Sequence, residues 1–271
     1  MRNMIIRALT GIVFVAVMVG GILYSPISCG VLFALITVLS VWEFTGLVNE
    51  HADVQVNRLI TTMAACCLFA ALYGFAAGVS SAVALFVPWL LSIIYLLVEE
   101  LYLQRERPIE NWAFTMLAQI YIALPFSLLS LLMFSPDSQW LIMGIFIFLW
   151  CSDTGAYCTG SLIGKHKLFP RVSPGKTWEG SIGGGVLALA ASQVMAHYLT
   201  SLSPVEWAIF ALIVVVFGTW GDLIESLFKR KLGVKDSGKI LPGHGGMLDR
   251  FDSSLLVIPA VIIYLTLLAT L

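Results

Sequence analysis

The chain has 271 residues, of which 59% are hydrophobic and only 11% are charged, and its formal net charge at pH 7 is −1. An average soluble domain carries roughly 25% charged residues, so this composition excludes an ordinary soluble protein. The nearly neutral chain also has no overall field that would attract a polyanion, which excludes nucleic acid as an expected partner.

Apolar runs of about 20 residues, the length that crosses a bilayer as a helix, recur along the chain. They are continuous, unlike the short alternating strands of a membrane barrel. The sequence therefore predicts an all-α, polytopic membrane bundle that forms a single domain. Its nine predicted spans lie at about 4–24, 30–48, 58–77, 82–101, 112–133, 139–160, 180–200, 207–227 and 253–271.

The positions of the basic residues support this number of spans. With nine spans, all 15 Lys and Arg residues lie near the N-terminus or in the loops that follow even-numbered spans. The positive-inside rule places that face in the cytoplasm. We therefore expect a cytoplasmic N-terminus, an outward C-terminus and a functional site that faces the cytoplasm.

Polar residues are distributed unevenly along the chain. The loops after spans two and four carry mixed charge, and we expect them to be solvated connectors. Most other polar residues lie between residues 150 and 252, so residues 1–148 are expected to be a mostly apolar scaffold. Residues 149–271 would then be the catalytic portion, with cytoplasmic loops at 161–179 and 228–252.

The loop after span six is long, basic and rich in glycine and proline. Its GKT at 175–177 suggests a phosphate loop, but that motif requires glycine where Pro170 stands, which excludes it. Cationic side chains and the N–H groups of a helix predicted to begin at Trp178 still suit an anionic phosphate. The alternative is a basic loop that only fixes the topology. The cations are Lys165, Lys167, Arg171 and Lys176.

Two further features lie next to this loop. Asp153 lies within span six, where an ionisable group is costly and is therefore either a functional residue or a satisfied partner in helix packing. Gly180 and Gly184 have the GxxxG spacing that favours close packing of membrane helices.

The polar segment after span eight is flanked by carboxylates. Asp222 and Glu225 lie three residues apart and hence on one face of a helix, although Glu225 alternatively pairs with Lys229 at i+4. Asp249 and Asp252 lie in the first turn of span nine, where acids also serve as helix caps. Two acids at this point exceed what capping requires.

These carboxylates suggest a metal site. Mg²⁺ is held by one or two carboxylates, with waters and substrate phosphates completing its shell. Asp222 ends one span and Asp249 begins the next, so we expect the connecting loop to bring them together at the membrane surface. With nearby cations and the N–H groups of Gly245 and Gly246, they would form a phosphoryl-type site where a lipid phosphate meets a nucleotide.

The run SLFKRKLGVKDSGKILPGHGGMLDRFD, residues 226–252, resembles the signature of the phosphatidate cytidylyltransferase (CDP-diacylglycerol synthase) family. SPGKTWEG at 173–180 and SDTGAY at 152–157 resemble that family's second polar segment, and the many-spanning layout extends the similarity along the chain. The resemblance implies transfer of the cytidylyl group of CTP to phosphatidate, which yields CDP-diacylglycerol and pyrophosphate in membrane phospholipid synthesis. It also implies Mg²⁺ bound by Asp222 and Asp249, a homodimer, and a second, monovalent cation.

This reaction requires no serine or cysteine nucleophile, because the phosphate monoester of phosphatidate is largely ionised near neutral pH and attacks the α-phosphorus of CTP in line. His244 is expected either to donate a proton to pyrophosphate or to brace the turn. We expect the protein in a bacterial inner membrane, with phosphatidate supplied by the inner leaflet. The residues expected to bind substrate are Asp153, Lys176, Lys229, Arg230, Lys235, Asp236, Gly245, Gly246, Arg250 and Asp252.

Other functions of polytopic membrane proteins fit the sequence less well. An anion transporter would place charges near the bilayer midplane and on both faces, whereas these charges gather at one face. A CDP-alcohol transferase would show a D-G-x-x-A-R pattern, which the sequence lacks. A transferase that attaches a sugar phosphate to a polyprenyl phosphate would keep the metal and lipid chemistry and change the substrates.

Overall fold

The computed structural model describes residues 2–79, 82–241, 243 and 245–270, and for residues 2–8 and 82 it gives the backbone alone. The helices are α1 (Arg2–Tyr24), α2 (Pro26–His51), α3 (Arg58–Ala76), α4 (Ala82–Leu85), α5 (Val87–Leu103), α6 (Pro108–Leu117), α7 (Leu124–Leu128), α8 (Ser138–Ile163), α9 (Trp178–Tyr198), α10 (Pro204–Lys231), α11 (Leu248–Phe251) and α12 (Ser254–Thr270). A π-helical segment (Ala118–Ala123) joins α6 to α7, and a 3-10 turn (Leu129–Leu131) follows α7. The strands are β1 (Lys167–Phe169) and β2 (Ser173–Thr177).

The helices confirm the prediction of an all-α, polytopic membrane protein. Within the described residues, seven segments are long and apolar enough to cross a membrane. These are Pro26–His51, Arg58–Ala76, Val83–Leu103, Pro108–Leu131, Ser138–Ile163, Pro204–Lys231 and Leu248–Thr270. The first predicted span contains the shorter apolar segment Leu9–Tyr24. The seventh predicted span corresponds to α9, which is not among the seven segments. It has 21 residues but is less apolar because of its glycines, Gln193 and His197.

The chain divides into two compact units, and the first comprises Met1–Ser135 and Leu232–Phe251. Aromatic side chains fasten the later segment to the N-terminal helices of this unit. The ring of Phe251 lies 5.8 Å from that of Phe14 and 5.7 Å from that of Phe126, between centroids. Because such rings bury large apolar areas and prefer tilted contacts, this cluster secures α11 against α1 and α7.

The loop after α5 differs in part from the predicted solvated connector. Arg105 forms ion pairs with Glu99 and Glu100, at 3.2 and 2.5 Å between nitrogen and oxygen. The amide of Asn111 also donates to Glu100, which is buried. Gln104, Glu106 and Arg107 are exposed, as predicted for a solvated connector. The acids at the end of α5 are the exception, because they are costly to bury alone and therefore recruit donors.

The second unit comprises Pro136–Lys231 and Asp252–Leu271. Its core contains Phe148, Trp207 and Phe210, all fully buried, with the rings of Trp207 and Phe210 stacked at 5.6 Å. A side chain at Gly221 of α10 would meet the carbonyl oxygen of Asp252 at 2.8 Å, so glycine there lets the chain entering α12 approach α10 closely.

Strands β1 and β2 form an antiparallel hairpin within the loop after α8, with Lys167 opposite Thr177. The sequence analysis did not predict these two short strands, but the helix start that it predicted at Trp178 is confirmed. The hydroxyl of Thr177 caps α9 by accepting from the backbone N–H of Gly180 at 3.1 Å. Such caps satisfy N–H groups that lack a partner in the first turn. The cap therefore couples the end of the hairpin to the start of α9.

Helices α8 and α9 pack through glycine, as the GxxxG spacing predicted. A Cβ at Gly184 would lie 2.5 Å from the carbonyl oxygen of Ser152, and one at Gly155 would lie 2.9 Å from that of Gly183. Only residues without a side chain permit this backbone contact. The close approach holds the end of α8 beside the start of α9.

Alanine substitutions at two adjacent glycines of α9 should test this packing. Gly184→Ala should destabilise the protein by about 1–3 kcal/mol, because the new methyl group meets backbone that cannot yield easily. Gly185→Ala is the matched control, since its Cβ would meet only Val215 Cγ1 at 3.8 Å. Thermal unfolding of the detergent-purified variants measures the difference. Equal melting temperatures for the two variants would contradict the proposed packing.

Candidate active site

A cavity of about 440 Å³ lies in the second unit, where α8, β2, α9 and α10 meet. This volume is within the range of small-molecule sites. Two residues that the sequence predicted to bind substrate, Asp153 and Lys176, both line it. The cavity therefore joins the SDTGAY and SPGKTWEG segments, which lie about 20 residues apart in the chain, in one site.

An ion pair stands beside the cavity. Lys176 Nζ of β2 lies 2.5 Å from Asp222 Oδ2 of α10. The hydroxyl of Ser226, one turn further along α10, donates to Asp222 Oδ1 at 3.1 Å. The side chains of Lys176 and Asp222 keep 27% and 31% of their exposure, so both charges remain accessible to a ligand.

The sequence analysis missed the small polar residues of the cavity wall. The serine and threonine residues that line it are Ser152, Ser161, Ser173, Thr177, Ser181 and Thr219. Ser152 and Ser173 belong to the two polar motifs that were recognised, so their positions carried a usable signal. Thr219 lies in an apolar run, and only the packing of α10 brings it to the cavity.

Glu179, in the first turn of α9, forms hydrogen bonds with the residues at the start of the hairpin. Its carboxylate accepts the N–H groups of Lys165 and His166 at 3.2 Å and contacts His166 Nδ1 at 2.5 Å. Hydrogen bonds lower the pKa of Glu179 from 4.5 to about 2. The largest cause is a hydrogen bond from its own backbone N–H, and the second is the bond with the His166 side chain. The residues just before β1, the strand that pairs with the Lys176 strand β2, are thus held at the start of α9.

Further acids gather near the end of α10. Lys229 Nζ lies 3.3 Å from Glu225 Oε1, so the i+4 pairing that the sequence left open for Glu225 is present. The Asp252 carboxyl interacts with the carboxyl of Glu225, and it lies close enough to Asp222 for the two negative charges to repel each other. Asp252 Oδ1 also accepts from the N–H of Ser253 at 2.6 Å, a contact between adjacent residues that differs from the N2 or N3 contact of a helix cap.

In the first unit, Asp249 organises the segment that resembles the family signature. Its carboxylate accepts the N–H groups of Ser237 and Gly246, at 2.9 and 2.8 Å. Gly245 adopts a left-handed φ of +85°, and a Cβ there would lie 2.8 Å from Asp249 Oδ2. The N–H of Gly246, predicted to face a phosphate, thus donates to Asp249, and Glu43 of α2, which the sequence analysis missed, contacts the same segment.

The remaining predicted residues have less defined environments. Arg230, Lys235, Asp236 and Arg250 are exposed, whereas Lys229 is buried. His244 lies outside the described residues. That Asp222 and Asp249 act on one metal ion stays a prediction.

The carboxylates suit a magnesium ion held partly by its substrate. Among the described residues, no group of three or more His, Cys, Asp or Glu side chains could hold a metal ion, so an all-protein cage is absent from this part of the chain. Mg²⁺ commonly binds one or two carboxylates together with waters and phosphates. The half-exposed Asp222, with one donor on each oxygen, leaves lone pairs for such a ligand.

The low pKa of Glu179 predicts an acid-sensitive hairpin. A carboxylate whose pKa is depressed in the fold stabilises it above pH 4.5, and this stabilisation disappears as the pH falls from 4.5 to about 2. Glu179→Gln should therefore melt below the wild type at neutral pH, and the two melting temperatures should converge over that acidic window. A difference that stays constant across the window would contradict the assigned contacts.

Comparisons with known proteins identify the family of this chain. A family model described as the cytidylyltransferase family matches residues 5–268. A phosphatidate cytidylyltransferase of Staphylococcus haemolyticus is 49% identical over 130 residues, which is 48% of this chain and 50% of the relative. Relatives with the same name from Staphylococcus saprophyticus and Staphylococcus aureus are 45% and 44% identical over 157 residues, covering 56% of this chain and 58% of each relative.

The matched regions span only half to three-fifths of these relatives' own length. The family model, in contrast, extends over nearly all of the present sequence. Because the match runs from residue 5 to residue 268, the chain belongs to the cytidylyltransferase family.

Proposed function

We propose that the protein is a phosphatidate cytidylyltransferase that transfers the cytidylyl group of CTP to phosphatidate and releases pyrophosphate. Membership of the cytidylyltransferase family supports a CTP substrate. The names of the staphylococcal relatives support phosphatidate as the acceptor. The observation that carries the proposal is the accessible Lys176–Asp222 pair beside a cavity formed by apolar helices and a polar hairpin.

The cavity suits a lipid and a nucleotide that arrive from different phases. Its walls include residues of α8 and α10, both apolar enough to cross a membrane. Its other side is β2, which carries Lys176. In the proposal, phosphatidate enters from the bilayer and CTP from the cytoplasm, in the orientation that the positive-inside rule favours.

The main obstacle to the reaction is repulsion between two polyanions. At 4 Å, one pair of like unit charges costs about 4 kcal/mol at an effective dielectric of 20. The ammonium group of Lys176 would bind phosphate oxygens and reduce this repulsion. Asp222, itself held by Ser226, keeps the ammonium group beside the cavity before substrate arrives.

The chain then needs to orient the reactants rather than form a covalent intermediate. A phosphate oxygen of phosphatidate attacks the α-phosphorus of CTP in line, the bond to the β-phosphate oxygen breaks, and pyrophosphate leaves. The ionised phosphate already carries the electron pair, so no protein base is required. Catalysis in this proposal consists of positioning and charge stabilisation.

Magnesium is the proposed cofactor, and it would neutralise phosphate charge and orient the triphosphate. In the second unit, Asp222 is the residue that would hold it. Asp249 of the first unit is the other predicted ligand. Its carboxylate is already oriented by the N–H groups of Ser237 and Gly246.

The direct test of the proposal is an assay of the detergent-purified protein with labelled CTP, phosphatidate and Mg²⁺. We expect a labelled CDP-lipid and pyrophosphate in equal amounts, both dependent on phosphatidate. Polyprenyl phosphate in place of phosphatidate should give no product. Pyrophosphate release without a CDP-lipid would contradict the proposal.

Three variants test the charged groups. Lys176→Gln should lower kcat/KM about 100-fold, because a cation aimed at the transferring phosphate is lost. Asp222→Asn and Asp249→Asn should lower turnover by at least as much and raise the Mg²⁺ concentration that gives half-maximal rate. Arg107→Gln is the control, since this residue pairs with Asp53 on an exposed surface. Near-normal activity in a folded variant would remove that residue from the proposed machinery.

A further inference from the structure

Glu43 is a buried carboxylate within an apolar helix. It lies in α2, one of the segments able to cross a membrane, and its residue exposure is 7%. An ionisable group in such a position is costly unless donors surround it, and it is retained where it has a task.

Among the described residues, the hydrogen-bond partners of Glu43 come from one distant segment. Its carboxylate accepts the hydroxyl of Ser237 and the N–H groups of Met247 and Leu248, the last two at 2.9 and 3.2 Å. Leu248 is the first residue of α11, in which Asp249 follows directly. Glu43 thus binds both ends of the polar segment that contains the glycine-rich turn.

Two glycines make this arrangement sterically feasible. A Cβ at Gly238 would lie 2.5 Å from Glu43 Oε2, and one at Gly246 would overlap Glu43 Oε1. The carboxylate therefore occupies space that any other residue at these two positions would fill. Neither glycine has a positive φ, so the close approach and not the backbone conformation requires glycine there.

Asp249 holds the same residues through different atoms. Ser237 donates its hydroxyl to Glu43 and its N–H to Asp249. The adjacent residues Gly246 and Met247 divide in the same way, since the N–H of Gly246 donates to Asp249 and the N–H of Met247 donates to Glu43. A change at Glu43 would accordingly release the donors that orient the Asp249 carboxylate.

We infer that Glu43 is a positioning residue, which fixes the segment from Ser237 to Leu248 and thereby orients Asp249 for the reaction. The inference rests on the proposed function for its catalytic consequence. The contacts also predict that Glu43 keeps the segment closed, which can be tested without the cytidylyl-transfer assay.

The test uses Glu43→Gln in the full-length, detergent-purified chain. The amide keeps the size of the side chain but replaces an accepting oxygen with an NH₂ group that opposes the N–H donors. Trypsin cleavage after the exposed Lys239, measured by mass spectrometry against cleavage after Lys167, should accelerate about tenfold as the segment opens. In the cytidylyl-transfer assay, kcat should fall about 10- to 100-fold and the half-saturating Mg²⁺ concentration should rise.

Thr45→Val is the matched control. Thr45 is also fully buried in α2, but its hydroxyl bonds within the helix to the carbonyl oxygen of Val41 at 2.8 Å. This variant should keep the wild-type cleavage rate, kcat and Mg²⁺ dependence. A loss that equals that of Glu43→Gln would reduce the role of Glu43 to general stability and overturn the inference.

Ser237→Ala provides the milder second variant if Glu43→Gln does not fold. It removes one donor to Glu43 and should raise cleavage after Lys239 and lower kcat in the same direction. Wild-type cleavage and kcat in Ser237→Ala, or in a folded Glu43→Gln, would overturn the inference. If the wild type itself transfers no cytidylyl group, the proposed function fails, while the cleavage rates still decide whether Glu43 holds the segment.

Discussion

A carboxylate that leaves water for the interior of a helical bundle needs donors, because an unpaired ion there costs several kcal/mol. This requirement explains several long-range polar contacts among the described residues. Glu43 meets it with the backbone of the segment before α11, and Glu100 with Arg105 and Asn111. In the second unit, Asp222 is only partly buried and pairs with Lys176. Each acid connects a polar loop to an apolar helix.

Glycine is the other feature on which these connections depend. In the second unit, Gly155 and Gly184 let the backbones of α8 and α9 approach each other beside the cavity. In the first unit, Gly238 and Gly246 leave room for the Glu43 carboxylate, and Gly245 allows a turn with positive φ. The same residue type therefore serves helix packing, accommodation of a charge and a tight turn. The requirement at each position is local and steric.

These features suit the chemistry of a cytidylyltransferase. Joining a phosphate monoester to a nucleoside triphosphate requires charge neutralisation and alignment more than a protein nucleophile. The pair of Lys176 and Asp222 offers a cation whose position is set before substrate binds. Glu179 binds the N–H groups just before β1, the strand that pairs with the one carrying this cation. A rigid support of this kind lowers the cost of organising the site during the reaction.

The sequence by itself determined the membrane-spanning character, the helical positions and the polar segments to examine. Bilayer thickness imposes apolar runs of about 20 residues, so the spans are visible without any tertiary contact. The start of α9 at Trp178 and its glycine packing were also predicted from local sequence, the packing from the spacing of Gly180 and Gly184.

The tertiary structure, in contrast, decided which donors each acidic side chain binds. Glu43 lies 204 residues from Met247 in the chain, and no local pattern connects them. The hairpin, the pairing of Lys176 with Asp222 and the Glu100 network likewise depend on which helices pack together. A buried charge takes the donors that packing brings within reach, and the sequence records only that such donors are needed.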